Sequence, residues 1–105
     1  MKMLWGGLAA LGIASTAYAA QKLGEYQADR APEVVYAKVC GYCHGRNVGP
    51  ILLGRKLDTD MIKAVVRQGR NAMPAFRPTE VSNAELAALA VWISKSPAKT
   101  EEHGK

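Results

Sequence analysis

The chain holds two cysteines, Cys40 and Cys43, three positions apart, with His44 directly after the second. In a chain of 105 residues this cluster constrains the fold more than any other feature. Such a length holds one domain, and a domain this small buries a modest share of its surface, so it commonly leans on a disulfide, a metal or a cofactor. Two neighbouring thiols could serve as a single disulfide, as a thioredoxin-like redox pair, or as part of a metal or prosthetic-group site.

The surrounding residues choose between these. A thioredoxin-like pair closes a strand and opens a helix in a βαβ context, whereas the stretch before Cys40, from Pro32 to Val39, reads as helix. A zinc site takes about four ligands, and the only histidine besides His44 is His103, in a charged tail. What remains is Cys40-Gly41-Tyr42-Cys43-His44 as C-x-x-C-H, the attachment pattern of c-type haem. The spacing has a physical reason. Thiols three apart at the end of a helix can each reach one of the two vinyl groups of a haem, and the next side chain then presents an imidazole to the iron from the same side. His44 is therefore the expected proximal ligand.

The N-terminus reads as an export signal. Met1-Lys2-Met3 is a short basic start, Leu4 to Ala14 is uncharged and apolar, and Ala17-Tyr18-Ala19 is an A-x-A cleavage site. The expected cut follows Ala19, which places residues 20–105 in the periplasm. The alternative, a membrane anchor, suits the segment poorly, because the apolar run is well short of the roughly 20 residues a span needs and is interrupted by Gly6, Gly7 and Gly12. Composition agrees with a globular chain, at 49 % apolar and 22 % charged residues, and excludes a disordered tail or a multi-span membrane protein. The net charge of +5, lowered by one when Lys2 is removed, favours an anionic partner. An exported haem protein with neither a basic helix nor a stacking platform is a poor nucleic-acid binder, so nucleic acid is not expected.

The methionines sort by context. Met1 and Met3 leave with the signal. Met61 falls with Ile62, Val65 and Val66 at i, i+1, i+4, i+5, which predicts one buried helical face and assigns Met61 to the core. Met73 lies in Gly69-Arg70-Asn71-Ala72-Met73-Pro74-Ala75-Phe76, where Gly69 can end a helix and Pro74 biases its predecessor away from helical angles. A thioether on such a loop is free to approach the iron, so Met73 is the expected sixth ligand, the alternative being a methionine that only packs under the haem. Met/His ligation is a known way of holding a cytochrome c haem and raises its potential.

Three short helices are expected, in an all-α fold. Pro32 opens the first, which carries Val35, Tyr36 and Val39 on one side and delivers the cysteines. Asp58 or Thr59 caps the second, which runs to about Gln68 and stops at Gly69. Ser82-Asn83-Ala84-Glu85 is a capping box for the third, with Leu86, Leu89, Ala90 and Ile93 at i, i+3, i+4, i+7 and Pro97 as its stop. Trp92 reads as a helix-packing residue. No strand pattern or repeat occurs. Residues 20–31 read as an arm, 32–97 as the haem domain and 98–105 as a charged, fraying tail. Arg46, Arg55, Lys56, Arg67, Arg70 and Arg77 crowd the stretch around the haem motifs. They form either a solvated surface or a set that pairs with haem propionates and steers an acidic partner.

With the attachment site, Gly49-Pro50-Ile51-Leu52, Met73-Pro74 and an aromatic at Trp92 in this order, the chain resembles class I cytochromes c over nearly the whole of residues 20–105. The resemblance implies that the Pro50 carbonyl accepts the His44 ring N–H, so that Pro50 orients His44. It also implies that the first helix crosses the last, setting Tyr36 near Trp92. Of the basic cluster, Arg55 is the expected propionate partner.

A narrower likeness runs through residues 39–44, Gly49-Pro50-Ile51-Leu52-Leu53-Gly54-Arg55 and Val66 to Phe76, with Ala72 to Phe76 its most telling part. In these stretches the chain is similar to the small cytochrome subunits of 4-alkylphenol flavocytochromes of the p-cresol methylhydroxylase type. That implies a periplasmic haem c subunit on a larger FAD-carrying flavoprotein, taking electrons one at a time from reduced flavin and passing them to a downstream acceptor. If Ala72 and Met73 also face the flavoprotein, the Met73 loop is the expected point of electron entry, and the small Ala72 would permit close approach. Two other functions stay open on the residues alone: a freestanding periplasmic carrier, and a haem enzyme or sensor with an open sixth position.

Overall fold

In the computed structural model, residues 28–104 are described. The expected signal at 1–19 and most of the arm lie outside them. Three α-helices occur in chain order: α1, Pro32–Lys38; α2, Thr59–Gln68; and α3, Asn83–Lys95. A single 3₁₀ turn, Cys40–Tyr42, follows α1. Among the described residues the only β pairings are the isolated bridges His44 to Gly49 and Arg70 to Met73, and no helix is long and apolar enough to cross a membrane.

Each helix has a local reason to start and stop. Pro32 stands in the first turn of α1, where its missing N–H costs nothing, with Glu33 and Lys38 set favourably against the helix dipole. Asp58 Oδ2 accepts from the Met61 N–H at 3.0 Å and caps α2. Gly69, at φ 73°, ends α2 in a left-handed conformation that suits glycine. The capping box of α3 is complete: Ser82 Oγ accepts from the Glu85 N–H at 3.0 Å, and Glu85 Oε1 accepts from the Ser82 N–H at 2.9 Å. At the other end Ser96 Oγ donates to the Trp92 carbonyl at 2.6 Å, one residue before Pro97.

α3 packs against both α1 and α2. The core gathers Val35 and Tyr36 from α1, Ile62 and Val66 from α2, Leu86, Leu89, Ala90 and Ile93 from α3, and Leu53 and Val81 from the connections. Tyr36 meets Trp92 with ring centroids 5.0 Å apart and planes tilted by 50°, an arrangement aromatic pairs favour. Trp92 is thus a packing residue at the α1–α3 crossing.

Two expectations need correction. Met61 is not core: it is 40 % exposed, while its neighbour Ile62 is 7 % exposed. The apolar face of α2 is narrower than the periodicity suggested, because only Ile62 and Val66, four apart, are buried. The tail does not fray either: the Tyr36 hydroxyl donates to Glu102, and the His103 N–H donates to the Gly45 carbonyl at 3.0 Å. The arm's last residues are also pinned, since Arg30 Nε donates to Glu85 Oε2 at 2.6 Å and Arg30 Nη2 to the Glu80 carbonyl at 2.8 Å.

Candidate haem site

The site begins where α1 ends. The 3₁₀ turn brings Cys40, Cys43 and His44 onto one coil of chain, with the Cys43 and His44 N–H groups both donating to the Cys40 carbonyl at 3.1 and 2.8 Å. Both cysteines are free thiols; Cys40 is half-buried and Cys43 exposed. Before haem is attached, burial pushes the Cys40 thiol up to about 11.

His44 is held by its other ring nitrogen. Nδ1 lies 2.7 Å from the Pro50 carbonyl oxygen. A carbonyl only accepts, so Nδ1 carries the hydrogen and Nε2 is left with a lone pair for a metal. Gly49 makes this approach possible, since a Cβ there would stand 2.9 Å from both His44 Nδ1 and the Cys43 carbonyl oxygen.

Met73 occupies a tight turn. Its N–H donates to the Arg70 carbonyl at 2.9 Å and the Arg70 N–H returns to the Met73 carbonyl at 3.0 Å, with Asn71 left-handed at φ 53° and Ala72 exposed at the tip. The Phe76 N–H donates to the Val66 carbonyl at 2.8 Å and ties the loop back to α2. Cys40 and Met73 are both partly buried and pack against the same apolar core, together with Leu52, Leu57 and Phe76. Two free thiols on one turn, an imidazole with one nitrogen anchored, and a loop methionine on a shared apolar core form a donor set that fits a covalently held haem.

The basic cluster divides. Arg67 is not a surface cation: its guanidinium donates to the Phe76 carbonyl at 3.2 Å, the Val81 carbonyl at 2.9 Å and Asn83 Oδ1 at 2.7 Å, so it organises the chain between the Met73 loop and α3. Arg55 donates to the Ile51 carbonyl at 3.3 Å.

Sequence reading missed the Arg30–Glu85 pair and the contacts of Tyr36 and Gly45 with the tail. Glu85 was legible only as part of the capping box; that it is 6 % exposed and so needs a cation, and that the cation is Arg30, depend on a contact across 55 residues. The hydrogen bond from Arg30 holds the Glu85 carboxyl down at about 2 and raises the Arg30 guanidinium in turn. Burial first, and the Glu102 carboxylate second, raise the Tyr36 phenol above its ordinary range.

Comparison with known proteins agrees with this geometry. Residues 27–93 match the family described as cytochrome c oxidase, cbb3-type, subunit III. The chain is 42 % identical over 80 residues to the 4-cresol dehydrogenase (hydroxylating) cytochrome c subunit of Pseudomonas putida, covering 71 % of each protein. The chain belongs to the c-type cytochromes. This cytochrome is also 36 % identical over 75 residues to cytochrome c-550 of Bacillus subtilis, covering 65 % of this chain and 59 % of that one. Among solved structures it resembles p-cresol methylhydroxylase with substrate bound, at TM-score 0.61 and 43 % identity over 65 % of this chain and 95 % of the matched one. A second p-cresol methylhydroxylase structure matches at TM-score 0.60 and 42 % identity, over 64 % and 94 % of the two chains. As a c-type cytochrome the protein transfers electrons through covalent haem c and does no substrate chemistry itself.

Proposed function

We propose that this cytochrome is the electron-accepting small subunit of a periplasmic flavocytochrome that oxidises 4-alkylphenols. The observation that carries the reading is the likeness to p-cresol methylhydroxylase, which spans 95 % of the matched chain at 43 % identity. Cys40 and Cys43 would hold the haem as thioethers, each S–H adding across a vinyl group with no leaving group. His44 and Met73 would hold the iron, with Pro50 orienting His44 and Arg55 as the propionate partner. The bound haem supplies a one-electron ferric–ferrous couple. His44, held by Pro50, and Met73, held in its turn, would hold the iron from side chains the fold has already fixed, so that little of the chain would have to move with each electron. The larger partner carries FAD, and electrons leave the cytochrome for a separate acceptor. The chain reaches the periplasm on the signal at 1–19, and mass spectrometry of the exported protein, showing Ala20 as the first residue, tests that step.

The deciding experiment is native purification with an absorption spectrum of both oxidation states. The expected result is a low-spin c-type spectrum with the weak long-wavelength sulfur-to-iron band and flavin in fixed ratio. A high-spin ferric spectrum without that band overturns Met73 as ligand and favours a haem enzyme or sensor with an open site. The likeness to cytochrome c-550 supports a second reading, a freestanding carrier, and a flavin-free monomer decides for it.

A further inference from the structure

The chain does not finish its work at the end of α3. The Ser96 carbonyl accepts from the Gly54 N–H at 2.9 Å. Ala98 sits against Gly54, where at φ +81° a Cβ would come within 2.7 Å of the Ala98 nitrogen. Lys99 Nζ stands 5.8 Å from the centre of the Trp92 ring. The next residues turn back, with the Glu102 N–H donating to the Lys99 carbonyl at 3.1 Å. Glu102 then accepts from the Tyr36 hydroxyl, and its carboxylate fills the space where Gly45 has no Cβ. His103 donates to the Gly45 carbonyl at 3.0 Å, and the Gly104 backbone lies against the Gly49 carbonyl. Residues 96–104 thus touch Gly45, Gly49 and Gly54 in turn, and are tied to α1 at Tyr36.

The segment they cross, Gly45 to Gly54, contains no helix and carries Pro50, whose carbonyl holds His44 Nδ1 at 2.7 Å. An irregular loop must take its rigidity from what packs on it. We propose that residues 96–104 are a positioning strap, which fixes the 45–54 loop against α1 and so keeps the Pro50 carbonyl on the His44 ring. Glu102 is its buckle. Its carboxylate joins the two ends of the strap's path, accepting from the Tyr36 hydroxyl of α1 while lying against Gly45 at the start of the loop. Hydrogen bonding to the far nitrogen of a ligating histidine tunes the basicity of the ligand, so the strap bears on the haem potential through Pro50 and His44.

The test uses the haem-loaded protein, with amide hydrogen exchange by NMR and the midpoint potential as readouts. Glu102→Ala is expected to speed exchange of the Gly49 amide, which donates to the Cys43 carbonyl at 2.8 Å, by about tenfold. The Leu89 amide in α3 keeps its rate, and the potential rises, because an imidazole loosened from the Pro50 carbonyl is a less basic ligand and favours the ferric iron less. Glu102→Gln, which retains an acceptor for the Tyr36 hydroxyl, restores both values, and Glu101→Ala, at an exposed tail position, changes neither. If Glu102→Ala does not load haem, Gly104→Ala gives the same Gly49 readout, because its Cβ presses on the Gly49 carbonyl. Unchanged Gly49 exchange, or equal acceleration at Gly49 and Leu89, overturns the strap. The potential readout rests on His44 being the iron ligand, whereas Gly49 exchange does not, so failure of the strap and failure of the ligand assignment are told apart.

Discussion

His44 and Pro50 are joined by a 2.7 Å hydrogen bond from the ring Nδ1 to the proline carbonyl, and the residue between them that permits it is Gly49. A Cβ on Gly49 would crowd His44 Nδ1 and the Cys43 carbonyl at 2.9 Å. Gly49→Ala is therefore expected to tilt the imidazole and to destabilise the protein by about 1–3 kcal/mol through overpacking. Spectroelectrochemistry and denaturant titration check both effects; a wild-type potential would mean that the bond tolerates the methyl group.

Gly69 governs the other side of the proposed site. It sits at φ +73°, and a Cβ there would meet the Met73 carbonyl oxygen at 2.8 Å and the Ala75 nitrogen at 2.9 Å. Met73→Ala is expected to abolish the sulfur-to-iron band and lower the potential. Gly69→Ala is expected to weaken the band and to cost about 1 kcal/mol or more of stability, because the native φ does not suit alanine. The long-wavelength absorbance of the ferric protein, followed against temperature, reads both variants.

The Arg30–Glu85 pair has a pH signature. The Glu85 carboxyl falls from its ordinary 4.5 to about 2 in the folded chain, chiefly through the Arg30 hydrogen bond. A depressed carboxyl pKa gives stability that is present above the unfolded value and is lost as pH falls through the folded one. Glu85→Gln should therefore be less stable than wild type at pH 6, by about 1–2 kcal/mol given that Arg30 is partly exposed. The gap should close between pH 4.5 and pH 2. Thermal melts across that window measure it, and a gap independent of pH would assign the loss to the cap alone.

Leu89 and Met61 make a contrasting pair of apolar truncations. Leu89 is 1 % exposed, against 40 % for Met61. Leu89→Ala should cost about 3 kcal/mol, as buried leucines do, and Met61→Ala about 0.5 kcal/mol, as exposed substitutions do. Equal losses in chemical denaturation would put Met61 back in the core.

Ala72 stands exposed at the tip of the Met73 turn. With the flavoprotein docked at this turn, Ala72→Trp should leave the cytochrome's own spectrum unchanged while slowing flavin-to-haem transfer and weakening the complex at least tenfold. Stopped-flow reduction of the reconstituted complex reads this. Transfer at the wild-type rate would move the docking face elsewhere.

The helices were legible because their signals are local. Asp58, Gly69, the Ser82–Glu85 box and Pro97 act within a turn of chain, and each stands where the sequence placed it. The candidate donors stood out for the same reason: C-x-x-C-H is a spacing on one turn, and Met73 is marked by the Gly69 and Pro74 that flank it. Met61 was misread because periodicity says which side of a helix is apolar but not how wide a neighbour covers it.

By itself the sequence determined the helix starts and stops, the pair of thiols with its adjoining imidazole, and the loop that carries Met73, since each depends on residues a few positions apart. Tertiary structure alone decided that Arg30 pairs with Glu85, that Arg67 binds the Phe76 and Val81 carbonyls rather than facing solvent, and that the tail lies on Gly45 and Gly49 instead of fraying. Those contacts join residues from 9 to 58 positions apart. No local rule of propensity or spacing reaches that far, because which groups meet depends on how α3 packs against α1 and α2 once the core has formed.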